Sequence, residues 1–211
     1  MPYRDPHTAA PTLWAIRQEH GPDLEVSWTA PPAADAKQHR KAIEAALIAL
    51  HRRDVGASPV ANFGRMIPSY EQSSYSDDER RGGPLADGET ESNTAPGTEP
   101  LPWTNHDNPL AADWMGLDWT EPLALDAVHG EVPESAGVYR IWDGDTPLEY
   151  IGQSANLKSR LYRHRRTRDG SLRVAFTPVA RADARHRREE IETELIGAHW
   201  LACSAAPIDQ F

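Results

Sequence analysis

The chain has 211 residues, a formal net charge of -10, 39% hydrophobic residues, 18 prolines and 14 glycines, a composition that suits small folded modules joined by linker better than one large body. It contains no run of about 18 apolar residues, which argues against a membrane span, and residues 1–5 lack the apolar stretch of a secretory signal, so a cytoplasmic location is expected. The single cysteine, Cys203, excludes an internal disulfide and a cysteine-cluster zinc site, and is expected to be a small buried thiol.

Residues 24–63 reappear as residues 172–211, a gap-free internal repeat at an offset of 148. Leu24, Val26 and Thr29 match Leu172, Val174 and Thr177, alternating as in a strand. Ile43, Glu44, Leu47, Ile48 and His51 match Ile191, Glu192, Leu195, Ile196 and His199 at helical spacing. Asp35 and Asp183 stand where they would cap or open these helices. Position 12, the counterpart of Arg160, is Thr12, and the residues before it are too few for a hairpin. The first copy is therefore expected to be a partial module over residues 12–66, either degenerate or cut short by a misplaced start. Residues 67–110, dominated by Ser, Asp, Glu, Gly, Thr and Pro, read as an acidic disordered linker. In the third segment, residues 111–211, Trp114 and Trp119 come first; packing against a sheet is expected of them, with base stacking as the alternative.

Gly137, Val138, Tyr139 and Tyr150, Ile151, Gly152 flank an Asp143-Gly144 turn, which predicts a hairpin that brings Tyr139 and Tyr150 close together. Gly137 and Gly152 read as positions of close backbone approach. A short helix is predicted over residues 157–165, on which Arg160 and His164, four apart, share a face. A strand over residues 172–177 and a long helix follow. The resulting order of strand, strand, helix, strand, helix predicts an α+β fold, a small antiparallel sheet flanked by helices, preceded by the partial repeat and the acidic linker. From Asn156 to Arg188, eleven Lys and Arg stand against Asp169 and Asp183. Binding to phosphate depends on the local field, so this segment can bind nucleic acid despite the acidic total. Lys158, Arg163, Arg165, Arg166 and Arg168 are the candidate DNA contacts.

The two tripeptides, followed by Arg160 and His164, resemble the opening of a GIY-YIG nuclease domain, with the likeness running from about residue 135 to the C-terminus. The resemblance implies a divalent-metal-dependent endonuclease that hydrolyses DNA phosphodiester bonds. Tyr139 and Tyr150 would position or deprotonate the attacking water, Arg160 would hold the scissile phosphate, and His164 would line the site. Among four neighbouring glutamates, Glu192 is matched in the repeat by Glu44 and precedes Leu195-Ile196 by three residues, as the family's metal-binding glutamate does; it would hold Mg2+ or Mn2+. The family places an asparagine after a proline at the end. Here the chain ends Pro207, Ile208, Asp209, Gln210, Phe211, so Gln210 is the amide equivalent and Asp209 a further substitute. Two other readings stay open: a catalytically impaired nucleic-acid-binding module, and a pseudo-dimeric scaffold. DNA is the expected partner, while its structure or sequence and the oligomeric state of the protein stay open.

Overall fold

The structure, a computed structural model, describes residues 9–71, 83–89, 94–128, 130, 132–144 and 147–211. It divides into two compact units, one built on Met1–Thr29 with Ser58–Gly97 and the other on Ala30–Ala57 with Thr98–Phe211. This division cuts across the expected segments. The helix of the first repeat copy belongs to the second unit, and so does the end of the expected linker, where Thr98 and Leu101 are buried.

In the first unit, α1 (Ala10–His20) starts with a proline in its first turn and stops at Gly21, whose φ of 105° favours glycine. Thr12, read as the counterpart of Arg160, lies buried in α1, its hydroxyl donating to the Arg65 carbonyl at 2.6 Å. The two-residue strands β1 (Tyr70–Glu71) and β2 (Gly83–Pro84) pair antiparallel. Trp14 meets Tyr70 edge-on, and the Tyr70 hydroxyl donates to Glu19 at 3.0 Å. The strand expected at residues 24–29 is not formed: Leu24, Val26 and Trp28 are 51%, 83% and 86% exposed. Alternation alone does not hold a strand. Its counterpart in the second copy is paired on both sides, whereas the described residues ahead of 24–29 form α1 and supply no hairpin.

The second unit contains α2 (Lys37–Val55), β3 (Leu123–Ala124), β4 (Gly137–Trp142), β5 (Tyr150–Ser154), α3 (Leu157–Thr167), β6 (Arg173–Pro178) and α4 (Arg185–Cys203). The sheet order is β3-β6-β4-β5, antiparallel throughout, so the α+β expectation holds, with β3 as a strand the sequence reading did not include. Alternation along β4 separates two cores. Tyr139 and Ile141, with Val174 and Phe176 of β6, meet Leu157 and Leu161 of α3. Val138 and Trp142 face the other way, toward Ile191 and Leu195 of α4 and toward Trp114 and Trp119. Those two tryptophans are 0% and 6% exposed and stack on each other at 5.9 Å, so they pack rather than stack on bases. Arg140 points into the same layer, 4.4 Å from the Trp119 ring centre, and donates to the carbonyls of Pro109, Leu110 and Ala111. It thereby ties the end of the expected linker to the central strand.

Helices α2 and α4 are each 19 residues long and stand 148 positions apart. Each ends on a left-handed residue, Gly56 or Ser204. The same clasp precedes both: Arg40 donates to the Ala34 and Asp35 carbonyls at 3.0 and 2.8 Å, and Arg188 to those of Ala182 and Asp183 at 3.1 and 2.7 Å. Neither aspartate is the cap; that position falls to Ala36 and Ala184. The two helices pack on each other at Gly197, where an added Cβ would lie 2.6 Å from the Ala45 carbonyl oxygen and 2.8 Å from the Ala49 methyl. Beside that crossing, Arg52 lies fully buried between Glu190 at 3.4 Å and Glu194 at 3.2 Å. These two carboxylates also take the backbone N–H groups of Thr98 and Leu101. Leu47 is 57% exposed although its counterpart Leu195 is fully buried, because only α4 has a sheet beneath it. Cys203 is half-buried rather than buried, since it ends α4. Among the described residues no helix is long and apolar enough to cross a membrane.

Candidate active site

The hairpin builds the site because its register sets Tyr139 opposite Gly152. A Cβ at 152 would run into the Tyr139 phenol and the Tyr150 ring, so glycine leaves the space in which both rings lie over β5. The rings stack with centres 6.0 Å apart. Gly137 is equally confined, against the Thr177 carbonyl and a Leu157 methyl. Both glycines therefore serve close approach, as expected.

Helix α3 is started by Asn156, whose side chain accepts from the Ser159 N–H at 2.9 Å. It buries Leu157 and Leu161 and so turns Arg160 and His164 toward the tyrosines. Arg160 Nε donates to Tyr139 Oη at 2.9 Å, and its Nη2 reaches Tyr150 Oη at 3.4 Å. His164 is 7% exposed, and its Nε2 is 2.8 Å from the Tyr139 oxygen. Its other nitrogen, Nδ1, accepts from Arg168 Nε at 3.1 Å. Arg168 in turn holds Asp209 at 2.7 Å and lies 5.2 Å from the centre of the Tyr150 ring.

Glu192 is half-buried on α4. Burial and the charge of Glu189 raise its pKa to about 7, against the opposing pull of Gln153 and Arg160. Its charge is felt in turn at Tyr139, where burial pushes the phenol above its ordinary value despite the Arg160 hydrogen bond. Burial, with Arg160, Arg168 and Arg163 nearby, lowers His164 to about 4, so the imidazole is neutral at neutral pH.

The structure thus brings Tyr139, Tyr150, Arg160 and His164 into one hydrogen-bonded group, and the charges of Arg160 and Glu192 act on one another. Gln210 lies to one side: its side-chain oxygen accepts from the Ile151 N–H at 2.9 Å. With Ile208 and Asp209 donating to the Leu148 and Glu149 carbonyls, the C-terminal tail runs along β5. Of the expected DNA contacts, Arg163 and Arg166 are exposed on α3, Lys158 pairs with Glu134 at 2.8 Å, and Arg165 is half-buried against Tyr162. Arg168 is turned inward to His164 and Asp209 rather than outward. Helical spacing does not single it out, because α3 ends at Thr167 and Arg168 is already extended.

Among the described residues no group of three or more His, Cys, Asp or Glu side chains is placed to hold a metal. A cation held here by one carboxylate does fit the donor set. Glu192 offers a hard carboxylate oxygen, the ligand type that Mg2+ takes one or two at a time beside phosphate oxygens and water.

The chain is 36% identical over 80 residues to the UvrABC system protein C of Acidothermus cellulolyticus, an alignment that covers 34% of this chain and 12% of that protein. No family profile matches the chain, and no solved structure does.

Proposed function

We propose that the C-terminal module is a GIY-YIG-type nuclease site that hydrolyses DNA phosphodiester bonds. The observation that carries this reading is the Arg160 bridge between Tyr139 and Tyr150, with His164 on the same phenol. The partial likeness to UvrABC system protein C supports it. Arg160, a permanent cation with donors to spare, would bind a phosphate oxygen and stabilise charge developing on phosphorus. Tyr139, a neutral phenol at rest, already accepts from two nitrogen donors, so its own hydrogen is left to orient the attacking water. If it first loses that hydrogen to solvent, the same two donors hold the phenolate, and it can take the water's proton as the oxygen attacks phosphorus and the leaving oxygen departs. Tyr150 frames the other side of that water. Glu192 would hold Mg2+ or Mn2+, which supplies Lewis acidity toward the phosphate when bound. Arg163, Arg165, Arg166 and Lys158 would track the backbone of the DNA.

The repeat bears on architecture. The matched lengths, ends and clasps of α2 and α4 support reading residues 12–66 as a partial second copy whose helix now braces the complete one. A non-catalytic DNA-binding module is the second reading, favoured by Gln210, whose amide oxygen is engaged with β5. Incubation of supercoiled, single-stranded and branched DNA with Mg2+ or Mn2+, comparing the native chain with Glu192→Ala, separates the two. The proposal expects cutting that the substitution abolishes; DNA binding without cutting by either protein would leave the binding module.

A further inference from the structure

We propose that Arg168 is a positioning residue that locks His164 in its Nε2–H tautomer, so that Tyr139 Oη faces two N–H donors, and that Asp209 holds Arg168 to this task. The inference rests on the nuclease reading for its purpose, but its geometry stands apart from it. A guanidinium N–H can only donate. The Arg168 contact at 3.1 Å therefore requires His164 Nδ1 to be the acceptor, bare of hydrogen. A neutral imidazole then carries its one hydrogen on Nε2, 2.8 Å from the Tyr139 oxygen. With Arg160 Nε donating at 2.9 Å to the same oxygen, both phenol lone pairs are occupied, and the hydroxyl hydrogen must leave the Arg160–His164 side.

In this arrangement His164 is a donor to Tyr139 and not the base that takes its proton. The groups facing the imidazole agree with that assignment: Arg160, Arg163 and Arg168 from α3 and its end, and the Tyr139 and Tyr150 rings from the sheet, with no carboxylate among the described residues in contact with it to favour the imidazolium. Asp209 is the remaining link. It lies on the C-terminal tail, its backbone N–H is fixed to the Glu149 carbonyl at 2.9 Å, and its carboxylate meets Arg168 Nη1 at 2.7 Å. The tail that departs from the family pattern is thus connected to the tyrosine through Arg168 and His164.

Imidazole nitrogen shifts in a long-range proton–nitrogen spectrum test this on the intact chain without reference to cleavage. The native protein is expected to show His164 with a pyridine-type Nδ1 and a pyrrole-type Nε2. Arg168→Met should move the population toward the other tautomer, and Arg168→Lys, which keeps a donor, should restore much of it. Native His164 in the Nδ1–H form, or a tautomer untouched by Arg168→Met, overturns the proposal, and the native spectrum alone decides if the variant does not fold. In cleavage, Arg168→Met should slow the bond-breaking step about 10- to 100-fold, the usual size of a supporting contact, with DNA affinity little changed and partial rescue by Arg168→Lys. Weakened DNA affinity with an unaltered tautomer would make Arg168 a phosphate contact instead. Absence of cutting by the native chain would defeat the nuclease reading while the tautomer result still stood or fell by itself.

Discussion

Replacing Glu192 by glutamine is expected to stabilise the fold at alkaline pH, in proportion to the charge that the native site confines. The folded carboxyl has a pKa of about 7 against an ordinary 4.5. The folded state therefore holds this proton more tightly than the unfolded chain does, and stability falls as pH rises from 4.5 through 7. At about 1.4 kcal/mol per unit, the 2.5-unit difference costs the native protein about 3 kcal/mol above pH 7, and about 1 kcal/mol at pH 5. Against a typical total of about 5–15 kcal/mol this is easily measured. Urea denaturation in the presence of a chelator, followed by the emission of the buried Trp114, Trp119 and Trp142, would compare native and Glu192→Gln chains at pH 5 and pH 8. Glu194, raised to about 7 as well, is present in both proteins and cancels in the difference. A gain that widens by about 2 kcal/mol between the two pH values supports the reasoning; a pH-independent difference, or a less stable variant at pH 8, refutes it.

Gly152→Ala places a methyl where the Tyr139 phenol and Tyr150 ring now lie; overpacking should cost about 1–3 kcal/mol in denaturant melts, and displacement of the phenol should slow cleavage about 100-fold. Arg52→Ala leaves Glu190 and Glu194 buried without their cation, for an expected loss of about 3–5 kcal/mol at neutral pH. Recovery of part of that loss on acidification would mark the stranded carboxylates as its cause. Trp119→Phe removes packing and the indole hydrogen bond to the Trp114 carbonyl; it should lower the melting temperature while leaving DNA affinity unchanged, and a selective loss of affinity would restore the base-stacking alternative.

Much of the second unit was legible in the chain because its signals were local. The two strand ends around the Asp143-Gly144 turn and the helical spacing after Asn156 each constrain a few neighbouring residues. The nearness of Tyr139 to Tyr150 and the face shared by Arg160 and His164 followed from them; the meeting of Arg160 with the tyrosines was implied only by the family resemblance. What local pattern missed was partner-dependent. Residues 24–29 carry a strand's alternation but have no flanking strands among the described residues. Residues 98–110 carry a linker's composition but are fixed by Arg140 and by Glu190 and Glu194, far away in sequence. Nothing near Glu190 and Glu194 in sequence announces their burial, because their partner Arg52 lies in the other repeat copy. The contact of Gln210 was equally out of reach of local pattern, since its oxygen accepts from the β5 backbone at Ile151.

The most direct measurement is single-turnover cleavage of a labelled branched duplex with Mg2+, run beside equilibrium binding of the same DNA, for the native chain, Glu192→Ala and Arg160→Ala. The account predicts that the native chain cuts, that both substitutions lower the rate at least about 100-fold, and that Glu192→Ala leaves affinity close to native. Equal cutting by all three proteins, or none by the native chain while it binds DNA, would contradict a catalytic site built on Tyr139, Tyr150, Arg160 and Glu192.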